Sequence, residues 1–423
     1  MKKDKMQRLA AMAVVALVLP MMVGCPATEE TADQPTTQAV NDAFKPTVIV
    51  LADDLTNPDG MTLSEDGQII YLNVPNLSDD PDNIGGPKSH PPKLVMIDKD
   101  DKVIELMDYP PYEVTGECGP MGLDIGPDGH LYVCDNQFFL DKNKPSDAKH
   151  LSRILRVLLD EKGMPQKNDA GEPTIEVVAE GLDLANALLW LGDAMYVTDT
   201  FSSDAGDSVV WRFTKDEVIG NTAPVVVKPA MEEDNPHVVA RFKSLKVGRG
   251  DIAGADGMTA DSEGNIYCGN FGDGAFYKLT PAEDGTVAVE QTVAPGEISE
   301  CVDGIFFCKT TGLIYINDSE QNAIRTYDPK SGEFAVLWMN DDSDGADGSL
   351  DQPCECVVRD GKLYVANFDR TFPGLKNTKN DDVYTLSVID LQPLISGEVK
   401  LTPTPKGEPS EEIAEEPTAE VAE

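Results

Sequence analysis

The sequence is poor in histidine, in basic residues and in long apolar runs. Only four histidines occur, and the chain has no zinc-type His/Cys spacing, no C-x-x-C-H haem motif, no G-x-S-x-G nucleophile elbow and no phosphate-binding loop. Lysine and arginine number 34 against 75 acidic residues, which gives a formal net charge of −41. This charge argues against nucleic acid as a partner, and it favours cations wherever carboxylates cluster.

The most pronounced apolar run lies at the N-terminus. Residues 9–23 follow a basic start and are too few for a membrane span, so they indicate a secretory signal peptide. The string Met-Val-Gly-Cys at 22–25 is similar to a bacterial lipobox. We therefore predict a lipoprotein signal peptide over 1–24, a lipid on Cys25 and export to a bacterial cell membrane, on its periplasmic or outer face. The alternative is an ordinary cleavage site beside a chance cysteine.

Two polar segments flank the central part of the chain. Residues 25–45 lack periodicity and are predicted to be a flexible linker. Residues 399–423 are rich in Pro, Glu and Thr and are predicted to be a disordered acidic tail. Residues 46–398 remain as the folded part, which we expect to be monomeric.

The central part repeats one pattern six times. Each repeat has a residue that we call the mouth residue, then a short strand, a tight turn and a second β-prone strand, as in residues 254–270 with the turn Ser-Glu-Gly-Asn. In five repeats the mouth residue stands five positions before the turn, and a second hairpin follows each first one. The mouth positions are Asp59, Met121, Asn186, Asp256, Asp303 and a residue near Cys354.

Six units of four strands each predict an all-β protein, a six-bladed β-propeller with four-stranded antiparallel blades. Residues 48–61 are similar to residues 175–188, where an outer strand leads into the next blade. We therefore predict that residues 48–51 pair with residues 384–390 and complete the last blade. This pairing would remove the open sheet edge between the two ends of the chain.

The mouth residues begin the innermost strands, so they should converge on one end of the central channel. Three carboxylates and one amide in a confined space repel each other unless a cation binds, and oxygen ligands favour a hard ion such as Ca²⁺ over zinc. Alternatively, Asp59, Asp256 and Asp303, each followed by glycine, simply cap loops. Met121 would be either a substrate contact or channel packing.

Three strings resemble the senescence marker protein/gluconolactonase (regucalcin) family: Pro-Asp-Gly-Met at 58–61, Leu-Ala-Asn-Ala-Leu at 184–188 and the stretch 255–267. Propellers with NHL repeats or a strictosidine-synthase-like fold share part of this signature. The resemblance covers residues 46–395 and implies a divalent metal in the channel and hydrolysis of lactones. It implies that Asn186 and Asp256 are metal ligands and that Asp59 stands where the family has a glutamate. Met121 replaces the family's substrate-binding asparagine.

The resemblance therefore implies a metal-dependent hydrolase of lactones or esters, with Ca²⁺ on Asp59, Asn186 and Asp256. The metal would polarise the carbonyl, and Asp256 or Asp303 would act as general base. Met121 in the substrate-binding position predicts a substrate more apolar than a sugar acid. The alternative function is a non-catalytic propeller of the NHL type that binds a protein or ligand at its rim.

Seven cysteines remain besides Cys25, so at least one thiol stays unpaired or pairs between chains. Export permits disulfides. A bond from Cys301 to Cys354 or Cys356 would join neighbouring blades, and a soft-metal or redox site at this rim is another option. The seven residues are Cys118, Cys134, Cys268, Cys301, Cys308, Cys354 and Cys356.

Overall fold

The structure, a computed structural model, describes residues 42–77, 88–138, 150–203, 205–245, 253–372 and 374–407. The predicted signal peptide, the lipidated Cys25 and most of the linker lie outside these residues, as do residues 408–423, so those assignments stay predictions. Among the described helices, none combines the length and the apolar character that a membrane crossing requires.

The described residues form six β-sheets, which confirms the predicted six-bladed β-propeller. In each blade the strands follow one another in sequence from the channel outwards, except that the outermost strand of the last blade comes from the start of the chain. The strands of the N-terminal half are β1 (Thr47–Val50); β2 (Met61–Leu63), β3 (Ile70–Val74), β4 (Lys93–Ile97) and β5 (Val103–Asp108) in blade one; β6 (Pro120–Ile125), β7 (Leu131–Asp135), β8 (Ser152–Val157) and β9 (Ile175–Leu182) in blade two; and β10 (Ala185–Leu191), β11 (Ala194–Asp199), β12 (Asp207–Thr214) and, after β13 (Val225–Val226), β14 (Val238–Lys243) in blade three.

The C-terminal half builds the remaining three blades. Its strands are β15 (Ala255–Ala260), β16 (Ile266–Asn270), β17 (Phe276–Pro281) and β18 (Val287–Val293) in blade four; β19 (Ile305–Cys308), β20 (Leu313–Asp318), β21 (Ala323–Tyr327) and β22 (Phe334–Met339) in blade five; and β23 (Pro353–Arg359), β24 (Lys362–Asn367) and β25 (Thr385–Asp390) in blade six. The described helices are single turns: a 3-10 helix over Asp42–Phe44, α1 (Lys215–Val218) and α2 (Gln392–Ile395). One strand departs from the predicted pattern, because β13 adds a short parallel fifth strand to β9.

Blade six closes the ring as predicted, and we call it the closing blade. Strand β1 pairs antiparallel with β25, with Thr47 opposite Val388 and Val50 opposite Thr385. The amide of Leu51 donates to the carbonyl of Tyr384 at 2.8 Å and extends the ladder. The first and last strands of the fold therefore pair within one sheet, and β1 covers the outer edge of β25.

A tyrosine recurs in the second strand of every blade and is buried between blades. In five of the six blades its hydroxyl is hydrogen-bonded to a polar group of a nearby turn: Tyr71 donates to the carbonyl of Gly163 in blade two at 2.9 Å, and Tyr364 donates to Asp101 in blade one at 2.7 Å. These five tyrosines thus combine apolar burial with a satisfied hydroxyl. The six residues are Tyr71, Tyr132, Tyr196, Tyr267, Tyr315 and Tyr364.

The folded part extends beyond both boundaries that composition indicated. Phe44 is completely buried against blades five and six, although it falls in the predicted linker. Val399 and Leu401 pack against the same core, and Thr404 donates to the carbonyl of Phe334 at 2.6 Å. The residues around them are rich in Pro and Glu, so the average composition of the segment does not reveal these few anchoring residues.

Candidate functional site

In four of the six blades a β-bulge in the innermost strand sets the mouth residue. In β15, Ala255 faces Asn270 and Met258 faces Cys268, so one extra residue is accommodated at Asp256. Strands β6, β10 and β23 have a register shift at the same place. A bulge bends the strand and re-aims its side chains, here toward the channel. In blade six the register places Cys354 in the mouth position.

All six mouth residues line one cavity of about 290 Å³ at this end of the channel. The structure thus brings together the residues that the sequence analysis selected from six separate repeats. They are Asp59, Met121, Asn186, Asp256, Asp303 and Cys354.

One residue below the mouth, the channel narrows to a ring of small residues. A Cβ atom on Gly257 would lie 2.2 Å from the carbonyl oxygen of Asp303, and one on Gly60 would lie 2.3 Å from that of Met121. The backbones of neighbouring blades therefore touch here. The ring comprises Gly60, Gly122, Ala187, Gly257, Gly304 and, as its exception, Glu355.

Glu355 is the site residue that sequence reasoning missed. Its Oε1 accepts the amide of Cys356 at 2.9 Å, and a Cβ on Gly304 would lie 2.4 Å from that oxygen. The signal was present in the sequence, because Glu355 stands at the only one of the six aligned positions that holds neither glycine nor alanine. The shortened turn of repeat six obscured that alignment.

Burial and mutual repulsion raise the pKa values of the channel carboxyls. Burial raises the pKa of Asp59 to about 7. The pKa of Asp256 lies well above its ordinary value because of burial and then of repulsion by Asp59 and Glu355. Burial, followed by repulsion from Asp256 and Asp59, does the same to Asp303, and the pKa of Glu355 is raised by burial and by Asp303 and Asp59. The four carboxyls therefore act on one another as a group.

This acidic group has no cationic partner in the described part of the chain, where none of the ion pairs includes Asp59, Asp256, Asp303 or Glu355. Acids at the ends of the second strands behave differently. Asp135 pairs with Arg153 at 2.7 Å and accepts the amide of Gly119 at 2.8 Å. Asp135 thus caps the loop that precedes β6.

Neighbouring polar groups fix Asp256 and Asp303. The side chain of Asn186 hydrogen-bonds to Asp256, which partly offsets the rise in the pKa of that carboxyl. The Nδ2 of Asn186 also lies 3.4 Å from Oγ1 of Thr200, whose hydroxyl donates to the carbonyl of Ala255 at 2.8 Å. Asp303 accepts its own following amide at 3.1 Å and a hydrogen bond from Ser319. The two acids are therefore held in place from different blades.

Apart from Thr200 and Gln352, the rest of the cavity wall is apolar. Phe138 and Phe201 stack with their ring centroids 5.3 Å apart, and Met121 lies on the same wall. The further apolar lining residues are Leu77, Leu184, Phe271, Phe368 and Phe372. The wall around the acids is thus predominantly aromatic and aliphatic.

The expected disulfide from Cys301 to Cys354 or Cys356 is absent, since all seven cysteines of the described chain are buried thiols. The reason is direction: the Sγ of Cys354 points to the carbonyl of Pro58 in blade one, 3.2 Å away, whereas the Sγ of Cys301 contacts Ser319. The two thiols therefore face opposite neighbours. Burial raises the pKa of Cys354 well above its usual value, so the group is a poor thiolate ligand.

Comparison with known proteins agrees with this architecture. The sequence model of the SMP-30/Gluconolactonase/LRE-like region matches residues 93–304, just over half of the chain. The protein belongs to this family. As an SMP-30/gluconolactonase-like protein it is a propeller of the lactonase type. No curated protein sequence matches it significantly.

Solved structures share the fold at low sequence identity. A luciferin-regenerating enzyme is 10% identical, with a TM-score of 0.51 over 86% of this chain and 99% of its own. A gluconolactonase from Xanthomonas campestris is 13% identical (TM-score 0.46, 82% and 92% coverage), and a PQQ-bound aldose sugar dehydrogenase from Streptomyces coelicolor is 15% identical (TM-score 0.48, 82% and 98% coverage). Likeness at this level concerns the fold and not the activity.

The channel mouth of this SMP-30/gluconolactonase-like chain fits a hard divalent cation. Its donors are carboxylate and amide oxygens, the kind that Ca²⁺ prefers. Its buried carboxyls carry raised pKa values and no described cation partner, so they are costly to ionise unless an ion binds. Asp59, Asn186 and Asp256 could hold such an ion. Asp303 and Glu355 lie near enough to this group for the carboxylate charges to repel one another.

Proposed function

We propose that the protein is a metal-dependent hydrolase of lactones or esters with apolar substituents, and that Asp59, Asn186 and Asp256 hold Ca²⁺. The observation that carries this proposal is the cavity itself. Carboxyls from blades one, four and five meet there with an amide from blade three, and no described basic residue is paired with them. A set of residues that serves only packing would not need buried acids at this place.

The cation would supply Lewis-acid polarisation of the substrate carbonyl. Of the two candidate bases we assign the role to Asp303, because Asp256 is already a proposed metal ligand and Asp303 lines the same cavity. Asp303 takes a proton from the attacking water as the new carbon–oxygen bond forms. It returns that proton to the leaving alkoxide as the old carbon–oxygen bond breaks, so the carboxylate is regenerated and a lactone becomes a hydroxy acid.

The wall of the cavity supports an apolar substrate. A sugar lactone exposes several hydroxyls, and each would lose its hydrogen bonds with water on entering a pocket lined by Met121, Phe138 and Phe201. An alkyl or aryl group would instead gain from burial there, at about 25 cal/mol per Å² of apolar surface. We therefore propose alkyl lactones and aryl esters as the substrate class.

The test is hydrolysis of γ-decalactone, phenyl acetate and glucono-1,5-lactone by protein loaded with Ca²⁺ and by protein stripped with EDTA. We expect the first two to be turned over only with metal and the sugar lactone to be the poorest substrate. The Asp256→Asn variant should lose at least about a hundredfold in kcat/KM, since even the loss of groups that merely support metal ligands costs 10–100-fold.

A matched control is Glu65→Gln, which removes one exposed carboxylate from the turn of blade one. It should keep full activity and metal content. Hydrolysis that survives EDTA treatment, or an Asp256→Asn variant as active as the parent, would overturn the hydrolase proposal. Binding without turnover in the presence of metal would instead support the non-catalytic NHL-type propeller.

We further propose that the propeller is anchored to a bacterial cell membrane through lipid on Cys25. Support comes from the basic start, the apolar run and the Gly24-Cys25 string. Cys25→Ser should release the protein from the membrane fraction or leave it unprocessed. A variant that fractionates and migrates like the parent would contradict the anchor.

A further inference from the structure

A second group of buried acids lies in the closing blade, away from the mouth residues. Asp351 stands two residues before β23, Asp369 two residues after β24, and Asp381 four residues before β25. One oxygen of each carboxylate lies within 4.8 Å of the other two. We call these three residues the closing-blade cluster.

The spacing of these oxygens is compatible with one shared ion. Oxygens bound to one Ca²⁺ at about 2.3–2.6 Å can be up to about 5 Å apart, which includes the spacing in the cluster.

Asp351 is the member that most requires a partner. It is completely buried, and within the described residues neither of its side-chain oxygens has a hydrogen-bond partner. A protonated Asp351 would need an acceptor for its hydroxyl, and an ionised one would need a cation or several donors. A bound cation satisfies both oxygens and the charge together.

The surroundings of Asp351 are acidic throughout. Burial, followed by repulsion from Asp369, Asp381, Asp342 and Asp344, raises its pKa to about 9. Burial likewise raises the pKa of Asp369 to about 8. Among the ion pairs of the described chain, none involves a member of the cluster. The negative potential is therefore not neutralised by a described side chain.

An amide stands beside the acids as a fourth oxygen donor. Asn377 is buried next to Asp369, and its Oδ1 has no hydrogen-bond partner within the described residues. The loop that carries it is fixed by the amide of Lys376, which donates to the carbonyl of Glu320 at 2.9 Å. The donor set is thus three carboxylates and one amide, all oxygen.

We propose that Asp351, Asp369 and Asp381 bind a Ca²⁺ ion in the closing blade, with Asn377 Oδ1 as a further ligand. The ion links the segment before β23, which carries Asp351, to the connection between β24 and β25, which carries Asp369 near its start and Asp381 near its end. It thereby also positions Gln352 and Phe368, which follow and precede two of the ligands and line the channel cavity. This site is independent of the ion proposed for the channel mouth.

The experiment counts Ca²⁺ ions by isothermal titration calorimetry on chelator-stripped protein, with thermal unfolding measured beside it. In an Asp256→Asn background, which disables the channel mouth, we expect one Ca²⁺ per chain and a rise in Tm with Ca²⁺. Adding Asp351→Asn should remove both responses. The stripped double variant should unfold no earlier than its stripped parent, because the amide replaces a buried carboxyl whose raised pKa and unpartnered oxygens make it costly without the ion; a purely structural aspartate would predict the opposite.

The matched control is Asp341→Asn, which removes a fully exposed carboxylate from the acidic loop before β23 and should keep the ion. If the Asp351→Asn chain fails to fold, Asp381→Asn at a partly exposed position gives the same readout. Calcium binding that survives both variants overturns the proposal, as does the absence of any ion in the Asp256→Asn background. A third outcome is that the parent binds a single Ca²⁺ ion and that Asp351→Asn alone removes it. This result would support the closing-blade site and would count against a metal at the channel mouth.

Discussion

The channel mouth and the closing blade both hold buried acids, but they assemble them differently. Asp59, Asp256, Asp303 and Glu355 come from four blades and meet only when the whole ring has formed. Asp351, Asp369 and Asp381 come from one blade and lie within a short stretch of chain. An ion at the mouth is therefore sensitive to how the blades are placed around the axis, whereas an ion in the closing blade reports on one sheet. The first region has an open cavity for chemistry, and the second supports the wall beside it.

The largest effect should come from removing the base while keeping the metal. Asp303→Asn is expected to lower kcat by about 10²- to 10⁴-fold, the usual contribution of a general base. Calcium content measured by atomic emission should stay at the parental level. An equal loss of activity and of metal would show that Asp303 is a ligand, and unchanged kcat would remove it from the mechanism.

Removal of Ca²⁺ should separate the two regions by their contribution to stability. At an ion concentration a hundredfold above Kd, each proposed ion would stabilise the fold by about 2.7 kcal/mol. Stripped protein should therefore unfold at lower temperature, and Asp256→Asn and Asp351→Asn should each abolish part of the calcium response. Additive losses in the double variant are expected because the sites share no ligand. A response that either single variant abolishes completely would mean that one region binds no ion.

Gly257→Ala should disturb the mouth and spare the closing blade. The new Cβ would meet the backbone of Asp303 at 2.2 Å, so blades four and five must move apart. We expect a destabilisation of about 1–3 kcal/mol in denaturant unfolding, typical of overpacking, together with weaker binding of the mouth ion. Calorimetry in the same variant should still detect the ion of the closing blade. Unchanged stability would contradict the tight ring below the mouth.

Glu355→Gln tests the residue that stands out in that ring. The amide oxygen can still accept the amide of Cys356, so packing is preserved while one repelling charge is removed. Stripped protein should gain about 1 kcal/mol or less, and Ca²⁺ affinity at the mouth should fall, because the ion loses a nearby negative charge. Thermal scans with and without Ca²⁺ measure both. A stripped variant that is less stable than the parent would indicate a structural role.

The smallest change is expected from Met121→Asn at the cavity wall. A hydrogen-bonding amide in place of the thioether should move the ratio of kcat/KM for glucono-1,5-lactone over γ-decalactone toward the sugar lactone, by about tenfold. Metal content and Tm should not change, since Met121 is neither a proposed ligand nor fully buried. An unaltered ratio would assign Met121 to channel packing.

Much of the mouth could be predicted because its geometry is repeated. A fixed spacing from each turn put Asp59, Asn186, Asp256 and Asp303 at one height in successive blades, and the structure gathers them in one cavity. Ring closure was likewise readable from the similarity of residues 48–61 and 175–188. Glu355 escaped because blade six has a shortened turn, so its register became clear only from the pairing of β23 with β24.

The closing-blade cluster could not be predicted in this way. Asp351, Asp369 and Asp381 belong to connections between strands, where no period relates one residue to the next. Their proximity follows from how those connections fold over the ends of one sheet. The direction of Cys354 toward Pro58 in blade one is a similar case, because adjacency in the repeat order does not fix which neighbour a side chain faces.

The pairing of β1 with β25 also determines when during synthesis the ring can close. Thr47 and Val388, which face each other in the closed ring, are 341 residues apart in sequence. At the usual rate of about 5–20 residues per second, the ribosome needs roughly 20 to 70 s to produce the second partner after the first. During that interval Val48 and Ile49 have no sheet to join, and the last loop to close is the longest in the fold. Maturation is therefore expected to be a late, all-at-once event, and a chain halted before β25 should be a substrate for holdase chaperones.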